Sequence, residues 1–258
     1  MCSALPAADL ALAETYAREL ARLGEEIGLP CLAAAHDISS PRPPLGVDGR
    51  PLAETVFRWV DPDLRYWEDR GFALRAAFIH AVRRCSEPFW FREGVFASWR
   101  PNAALDALTA EGAFETFGVG AAIVTPAYLP GGVIGAVVWA TRDAAFPVEA
   151  VFEARAAELQ ARALRFVAAY DEATGADVAR LAVRLTRREI QCLKWAAAGK
   201  TDLEIGQIVG ISLPTVRFHI TNASRKMGVT GRSQAVHHAG ALGYIGAERS
   251  LRLLRDPA

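Results

Sequence analysis

A short segment near the C-terminus carries hydrogen-bonding and cationic side chains on one face of a predicted helix. Within residues 213–227, Arg217 and Thr221 are separated by one helical repeat and therefore share a face. The spacing adds Ser224 and Arg225 to this face, flanked by His219, Asn222 and Lys226. Arginine can donate two hydrogen bonds to a guanine edge, and hydroxyls and ammonium groups can bind phosphates. The chemistry expected of this face is therefore contact with nucleic acid.

The sequence around this helix predicts the elements that would position it. Thr186 with Glu189 and Thr201 with Glu204 have the spacing of capping boxes, and Ser212 can cap the polar helix. An apolar stripe runs along the other side of that helix: Val216, Ile220, Ala223 and Met227. A further helix is expected over 233–242. Two helices joined by a short turn, the second polar on its free face, predict a helix-turn-helix. A plain helical bundle with solvated charges would show the same spacing.

Charge is divided unevenly along the 258 residues, although the net charge is zero. Residues 1–170 carry 16 Arg and 21 acidic residues, a net charge of −5, whereas residues 171–258 carry a net charge of +5. An acidic body followed by a basic segment is the asymmetry expected when one part of a chain meets a polyanion. We therefore predict an N-terminal domain over 1–170, a linker over 171–184 and a nucleic-acid-binding domain over 185–258.

Several other functions find no support in the sequence. The four cysteines are widely spaced and form no Cys-x-x-Cys pair, and no nucleotide-binding glycine motif occurs. No nucleophile and base stand at a recognisable spacing, so we predict neither an enzyme nor a bound cofactor or metal. Between Glu115 and Arg142 lie 26 uncharged residues, but Pro126, Pro130 and two glycines interrupt them. This favours a buried hairpin over a membrane span, and we expect a cytoplasmic protein without a secretory signal.

The N-terminal domain is predicted to be an α/β/α sandwich on an antiparallel sheet. An amphipathic helix over 8–28 precedes an apolar strand over 30–36, and a helical pattern covers 62–79. A strand over 89–96, a helix over 102–116, a hairpin formed by 119–125 and 133–140, and a helix over 147–170 follow. Both hairpin arms are apolar at consecutive positions, so helices should cover both faces of the sheet. With the helical C-terminal domain, the fold class is α+β.

The C-terminal segment resembles the LuxR-type DNA-binding domain along residues 185–245. The resemblance is carried by Leu185-Thr-Arg-Arg-Glu189, Gly199-Lys-Thr-Asp-Leu-Glu-Ile205, Ile211-Ser-Leu-Pro-Thr-Val216, Lys226-Met-Gly-Val229 and Gly243-Tyr-Ile245. It implies that Arg217, Phe218 and Thr221 face the bases. It also implies that six residues either contact DNA phosphates or stabilise the helix ends that lie near the phosphates: Lys200, Thr201, Ser212, Thr215, His219 and Lys226. We expect such a module to bind double-stranded DNA as a homodimer, with the helix over 147–170 as the candidate dimer contact. We also expect a contact with RNA polymerase if the protein activates transcription.

The order of elements in 8–170 resembles the autoinducer-binding domain of quorum-sensing regulators. Glu87-Pro-Phe89, Phe117-Gly118 and Pro126 carry this resemblance. It implies a small-molecule pocket between the sheet and one helix layer, in which a Trp, a Tyr and an Asp hold an acyl-homoserine lactone. The matching positions here are occupied by different residues: Asp63 and Trp67 for the Trp and Tyr, Ala76 for the Asp, Phe91 for a second Trp and Ala122 for a Gly. In this register, loss of the Asp removes a charge-assisted hydrogen bond worth about 1.5–3 kcal/mol; a register shifted by one helical turn would instead place His80 near that position.

The remaining aromatic residues suggest a different ligand. Trp59 and Phe72, with neighbouring rings, could line a pocket for an apolar or aromatic signal. The same rings could instead fill a core without binding any ligand. Two functions therefore stay open: a ligand-responsive regulator that binds a palindromic operator, and a ligand-independent protein that heterodimerises with a related regulator and modulates it.

Overall fold

The computed structural model describes residues 7–40, 42–61, 63–65, 68–69, 71–112, 115–174 and 183–246, which fall into two compact units. The first unit contains, in chain order, α1 (Ala7–Glu26), β1 (Cys31–Ala35), α2 (Leu52–Thr55), α3 (Phe72–Arg75), α4 (Ala77–Val82), β2 (Phe89–Arg92), β3 (Val95–Ala97), α5 (Ala103–Glu111), β4 (Ala121–Tyr128), β5 (Ile134–Thr141) and α6 (Val148–Ala173). The second contains α7 (Arg187–Ala197), α8 (Asp202–Val209), α9 (Leu213–Lys226) and α10 (Arg232–Ala241).

The first unit is built on an antiparallel sheet of five strands in the order β1-β5-β4-β2-β3. One face of the sheet, which includes Ile123 and Trp139, packs in a core with α1 and α6. The other face, which includes Phe89 and Phe91, packs in a second core with α4 and α5. Helices therefore cover both faces, and the predicted α/β/α sandwich is confirmed. The indole Nε1 of Trp139 donates to the Leu20 carbonyl oxygen at 3.0 Å, so the largest buried ring is also hydrogen-bonded to α1.

The uncharged stretch before Arg142 forms the centre of the sheet. Strands β4 and β5 pair from Ala121 opposite Thr141 to Tyr128 opposite Ile134, and the turn between them includes Pro130–Gly132. A side-chain carbon added to Gly135 would lie 2.5 Å from Cγ1 of Val167, so α6 packs directly onto the backbone of β5. The predicted hairpin is confirmed. No helix in the described parts of the chain is both long and apolar enough to cross a bilayer.

The helix predicted over 62–79 is not continuous in the structure. Its described parts form only two short helices, α3 and α4, which are separated by Ala76 in an extended conformation (φ −68°, ψ 118°). Ala76 forms a parallel bridge with Glu115: the amide of Glu115 donates to the Arg75 carbonyl, and the amide of Ala77 donates to the Glu115 carbonyl. Backbone pairing with a distant segment thus replaces the hydrogen bonds that a continuous helix would have made.

Three other element boundaries differ from the prediction. The strand expected over 89–96 is a tight hairpin, because Glu93 (φ 48°) and Gly94 (φ 86°) turn the chain between β2 and β3. The helix expected over 102–116 ends at Gly112, whose φ of 58° lies in the left-handed region. The last helix of the first unit, α6, extends into the segment predicted as a linker and ends at Ala173.

Candidate nucleic-acid interface and cavity

The turn between α8 and α9 brings two backbone segments into close approach. A side-chain carbon added to Gly206 would lie 2.7 Å from the Ile211 carbonyl oxygen, so only glycine fits without a shift in the turn. Gly210 ends α8 in the left-handed conformation (φ 72°, ψ 39°), and its amide donates to the Gly206 carbonyl. These two glycines let α9 leave α8 after a short turn, which is the geometry of a helix-turn-helix.

Three of the four helix starts described in this unit are capped by side chains of neighbouring residues. Thr186 with Glu189 and Thr201 with Glu204 form complete capping boxes at α7 and α8, as predicted from their spacing. Ser212 caps α9: its Oγ accepts from the Thr215 amide at 3.3 Å and lies 2.8 Å from the Thr215 hydroxyl oxygen. Hydrogen bonds from the Thr201 amide and hydroxyl lower the pKa of Glu204 below its ordinary value. Thr201 and Ser212 therefore cap the starts of α8 and α9, and Thr215 donates its amide to the second cap. Their part in phosphate binding stays a prediction.

A buried stripe fixes α9 to the rest of its unit. Val216 and Ile220 pack with residues of α7 and α8, and Ala223 and Met227 pack with residues of α7 and α10. Ser224 belongs to this buried side, because it is 5% exposed and its hydroxyl donates to the Ile220 carbonyl. The prediction that placed Ser224 on the polar face was therefore wrong: a serine that bonds to the preceding turn can be buried with its hydroxyl still paired.

The opposite side of α9 is open within this unit. Phe218 is 61% exposed, the Arg217 side chain is 68% exposed, and Thr221 is exposed. The Arg217 Nε lies 3.5 Å from Oδ2 of Asp202, and the Phe218 ring packs against the ring of His219 with centroids 5.7 Å apart. The three residues predicted to face bases therefore share an accessible surface, and His219 lies half-buried beside it.

The two lysines predicted to serve phosphates each pair with a carboxylate. Lys200 Nζ lies 3.5 Å from Glu204 Oε1, with both side chains exposed. Lys226 Nζ lies 2.8 Å from Oε2 of Glu189, whose side chain is 4% exposed, whereas that of Lys226 is 39% exposed. Burial alone would raise the pKa of Glu189, but hydrogen bonds from Lys226 and from the Thr186 amide outweigh it, and the pKa is lowered. One donor of Lys226 is thus committed to the protein, while its exposed part leaves others available.

A cavity of about 370 Å³ lies on the second core's side of the sheet. Its floor consists of small side chains on paired strands, with Ala33 opposite Val138 and Ala35 opposite Ala136. Larger side chains, Trp59, Phe72, Phe78 and Ile79, line its walls, and its polar lining residues are Asp37, Ser39, Ser40, Arg42 and Asp69. A slot between a flat floor and aromatic walls can enclose a small apolar molecule that has a polar end.

The structure brings together three of the seven predicted ligand residues. Trp59, Phe72 and Ala76 line the cavity. Phe91 and Ala122 do not, because they pair across β2 and β4 within the closed core. Asp63 is exposed and away from the lining, and Trp67 lies outside the described residues. The cavity floor was not predicted; it is formed by Ala33, Ala35, Ala136 and Val138. The signals available for it were the three consecutive alanines in β1 and the small residues in β5.

The C-terminal unit has recognisable relatives. Residues 183–239 match the family model described as bacterial regulatory proteins, luxR family. Over 61 residues the chain is 52% identical to the transcriptional activator protein VanR of Vibrio anguillarum, a match that covers 24% of this chain and 25% of VanR. Over 63 residues it is 49% identical to the transcriptional activator protein PhzR of Pseudomonas fluorescens, covering 24% of this chain and 26% of PhzR. The matches span about a quarter of the length of these relatives.

A comparison with solved structures extends over most of the chain. The crystal structure of Escherichia coli SdiA aligns with a TM-score of 0.48 and 18% sequence identity, covering 90% of this chain and 91% of that chain.

The short turn, the anchored second helix and its open polar face define the C-terminal unit as a helix-turn-helix DNA-binding domain. It is a DNA-binding domain of the LuxR type.

Proposed function

We propose that this chain is a LuxR-type transcriptional regulator in which α9 enters the major groove of DNA. The observation that carries this proposal is the open face of α9, where Arg217, Phe218 and Thr221 are accessible on a helix whose other side is buried. Arg217 suits a guanine edge, Phe218 suits a thymine methyl group, and Thr221 can bond either a base or a phosphate.

Phosphate contacts would come from residues at the edges of this face. Lys200, His219 and the free donors of Lys226 supply cations or hydrogen bonds there, and Thr201, Ser212 and Thr215 hold the helix starts that point toward the backbone. One such unit makes few base contacts. We therefore expect a homodimer on a palindromic operator with half-sites about one helical turn apart, and α6 is the proposed dimer helix.

The cavity of the first unit supplies the proposed signal site. Its floor and aromatic walls are apolar, and its carboxylates, Asp37 and Asp69, come from other positions than Ala76, where the resemblance implies an Asp. We therefore expect an apolar or aromatic signal rather than an acyl-homoserine lactone. Binding such a signal would be coupled to DNA binding. If the protein activates transcription, we expect it also to contact RNA polymerase. The related proteins are transcriptional activators, and no catalytic activity is proposed.

The direct test is selection of DNA by the full chain from duplexes with a randomised central region. We expect an enriched motif with two-fold symmetry, bound more tightly than a scrambled duplex of equal length. If no sequence is enriched over a range of salt concentrations, the proposed function is wrong.

The missing acceptor at Ala76 also favours a second candidate function: a ligand-independent protein that heterodimerises with a related regulator. Native mass spectrometry of protein purified from its own host distinguishes the two. A retained small molecule supports the signal-responsive regulator. A ligand-free chain that enriches no DNA by itself, but does so when mixed with a related regulator, supports the interaction protein.

A further inference from the structure

One carboxylate in the C-terminal unit contacts two arginines. Oδ1 of Asp202 accepts from Nη1 of Arg232, and its Oδ2 lies 3.5 Å from Nε of Arg217. Arg232 also donates from Nη2 to the Lys200 carbonyl oxygen. The Asp202 side chain is 23% exposed, against 68% for Arg217. Asp202 is therefore the more constrained member of the cluster, because Arg232, which pairs with it, is itself bonded to the backbone before α8. Arg217 is the more exposed member.

The place of Asp202 in the fold also stabilises its charge. Asp202 is the first residue of α8, where unpaired amides favour a negative charge. Its contact with Arg217 connects the start of the first helix of the motif to the exposed face of the second. A carboxylate at this position also repels DNA phosphates, so it lowers general affinity for DNA. A role in binding alone would favour a neutral or basic residue here.

The contact of Asp202 with Arg217 is made at Nε, so it does not occupy the two Nη atoms of an otherwise exposed side chain. These are the two donors with which an arginine reads a guanine end-on. We propose that Asp202 is a positioning residue that restrains Arg217 for end-on base recognition and so increases discrimination between DNA sequences at the expense of general affinity. This inference rests on the proposed function, because it requires that α9 reads bases.

The restraint has a physical basis in side-chain entropy. An exposed arginine populates many rotamers, and most of them are lost when its guanidinium forms two hydrogen bonds with one base. A contact that restricts the side chain before DNA arrives reduces that loss for the matching orientation only. Because Arg217 is exposed and Asp202 is partly exposed, the expected gain in discrimination is modest, about three- to fivefold.

The test compares Asp202→Asn with the unchanged full-length chain. The measured quantity is the ratio of dissociation constants for a scrambled duplex and for the duplex that the unchanged chain enriches from a randomised pool, at two salt concentrations. Asparagine retains an oxygen that can accept from Arg232. We expect Asp202→Asn to bind the scrambled duplex more tightly and to lower the ratio about three- to fivefold. Partial unfolding would weaken both duplexes equally and leave the ratio unchanged.

A double-mutant comparison tests whether Asp202 acts through Arg217. In an Arg217→Ala background, Asp202→Asn should no longer change the ratio, whereas in a Thr221→Ala background it should still lower it. Asp202→Glu, which keeps the charge but moves it by one methylene, serves if the Asn variant does not fold; it should lower the ratio without tightening general binding. An unchanged ratio, or an equal change without Arg217, overturns the inference and leaves the proposed function standing. If the unchanged chain shows no preference between duplexes, the proposed function fails, and this inference fails with it.

Discussion

Lys226 donates to the buried carboxylate of Glu189 across 37 positions of sequence, with Nζ 2.8 Å from Oε2. Glu189 belongs to the capping box at the start of α7, and Lys226 is the last residue of α9. The same carboxylate oxygen accepts from the Thr186 amide at 2.6 Å. One buried acid therefore caps the first helix of the unit and holds the end of the helix that carries the polar face.

Replacement of this lysine should cost stability as well as DNA affinity. In Lys226→Ala the Glu189 carboxylate loses its cation, and we expect the free energy of unfolding to fall by about 1–3 kcal/mol. Lys200→Ala is the matched control, because its partner Glu204 is exposed and the pair contributes at most about 1 kcal/mol. Denaturant melts followed by circular dichroism measure both. Equal stability of the two variants would contradict the role given to Glu189.

The lowered pKa of Glu189 predicts a pH-dependent stability. A carboxyl group whose pKa is lower in the folded state stabilises the fold above its unfolded pKa, and that contribution disappears as the pH falls through the folded pKa. The stability difference between the unchanged protein and Glu189→Gln should therefore be largest at neutral pH and should shrink as the pH falls below about 4.5. Thermal melts from pH 7 to pH 3 test this. A difference that does not depend on pH would show that Glu189 acts without its charge.

Substitutions on the open face of α9 should separate base recognition from phosphate binding. We expect Arg217→Ala and Thr221→Ala to weaken binding to the selected operator by about 1–3 kcal/mol for the arginine and less for the threonine, with little change on scrambled DNA. Lys226→Ala should weaken binding to both and reduce the salt dependence by about one phosphate contact. Band-shift titrations at two salt concentrations measure these effects. A uniform loss from all three variants would remove the assignment of Arg217 and Thr221 to bases.

The cavity can be filled from its floor. Ala33 lies on β1 opposite Val138, and Ala33→Leu would project additional atoms into the space between the strand and the aromatic walls. We expect this variant to lose any small molecule that native mass spectrometry detects in the unchanged protein, while its thermal stability stays similar. Ala33→Ser, which preserves the volume, is the control and should retain the molecule. Retention by both variants would place the bound molecule elsewhere.

Two glycine substitutions, one in each unit, compare a tightly packed glycine with one that has open space around it. Gly135→Ala would place a methyl group 2.5 Å from Cγ1 of Val167 and 3.0 Å from the His36 carbonyl oxygen, so the variant should be destabilised by about 1–3 kcal/mol. In Gly240→Ala the added methyl group meets no atom within 4 Å, and Gly240 lies inside α10. This control should gain about 0.5–1 kcal/mol from helix propensity. Calorimetry resolves the two effects; a stable Gly135→Ala would show that α6 can move away from β5.

The sequence predicted best those elements whose signals are local. The capping boxes at Thr186 and Thr201, the cap at Ser212 and the buried stripe from Val216 to Met227 each depend on residues within one or two helical turns. Ser224 was misplaced because it lies near the boundary between the two faces, and a hydrogen bond to its own helix settles its position. The contact between Asp202 and Arg217 was missed because it joins two helices, and no spacing rule applies to it.

Non-local pairing explains the larger errors in the first unit. The pattern over 62–79 predicts one helix, but pairing of Ala76 with Glu115 interrupts it, and that partner is 39 residues away. The cavity floor likewise depends on the register between β1 and β5, which places Ala35 opposite Ala136. Helical periodicity gives no information on either relationship. The aromatic walls were easier to predict, because large rings near a proposed pocket stand out by type alone, as Trp59 and Phe72 do.

The three capped helix starts have a consequence for how this unit can be joined to other proteins. Each start is specified within four consecutive residues, 186–189, 201–204 and 212–215, and needs no contribution from residues before 183. The residues that determine where α7, α8 and α9 begin thus all lie within a segment of about sixty amino acids. We expect this segment to fold without the first unit and, when another domain precedes it, to keep the DNA preference proposed for α9.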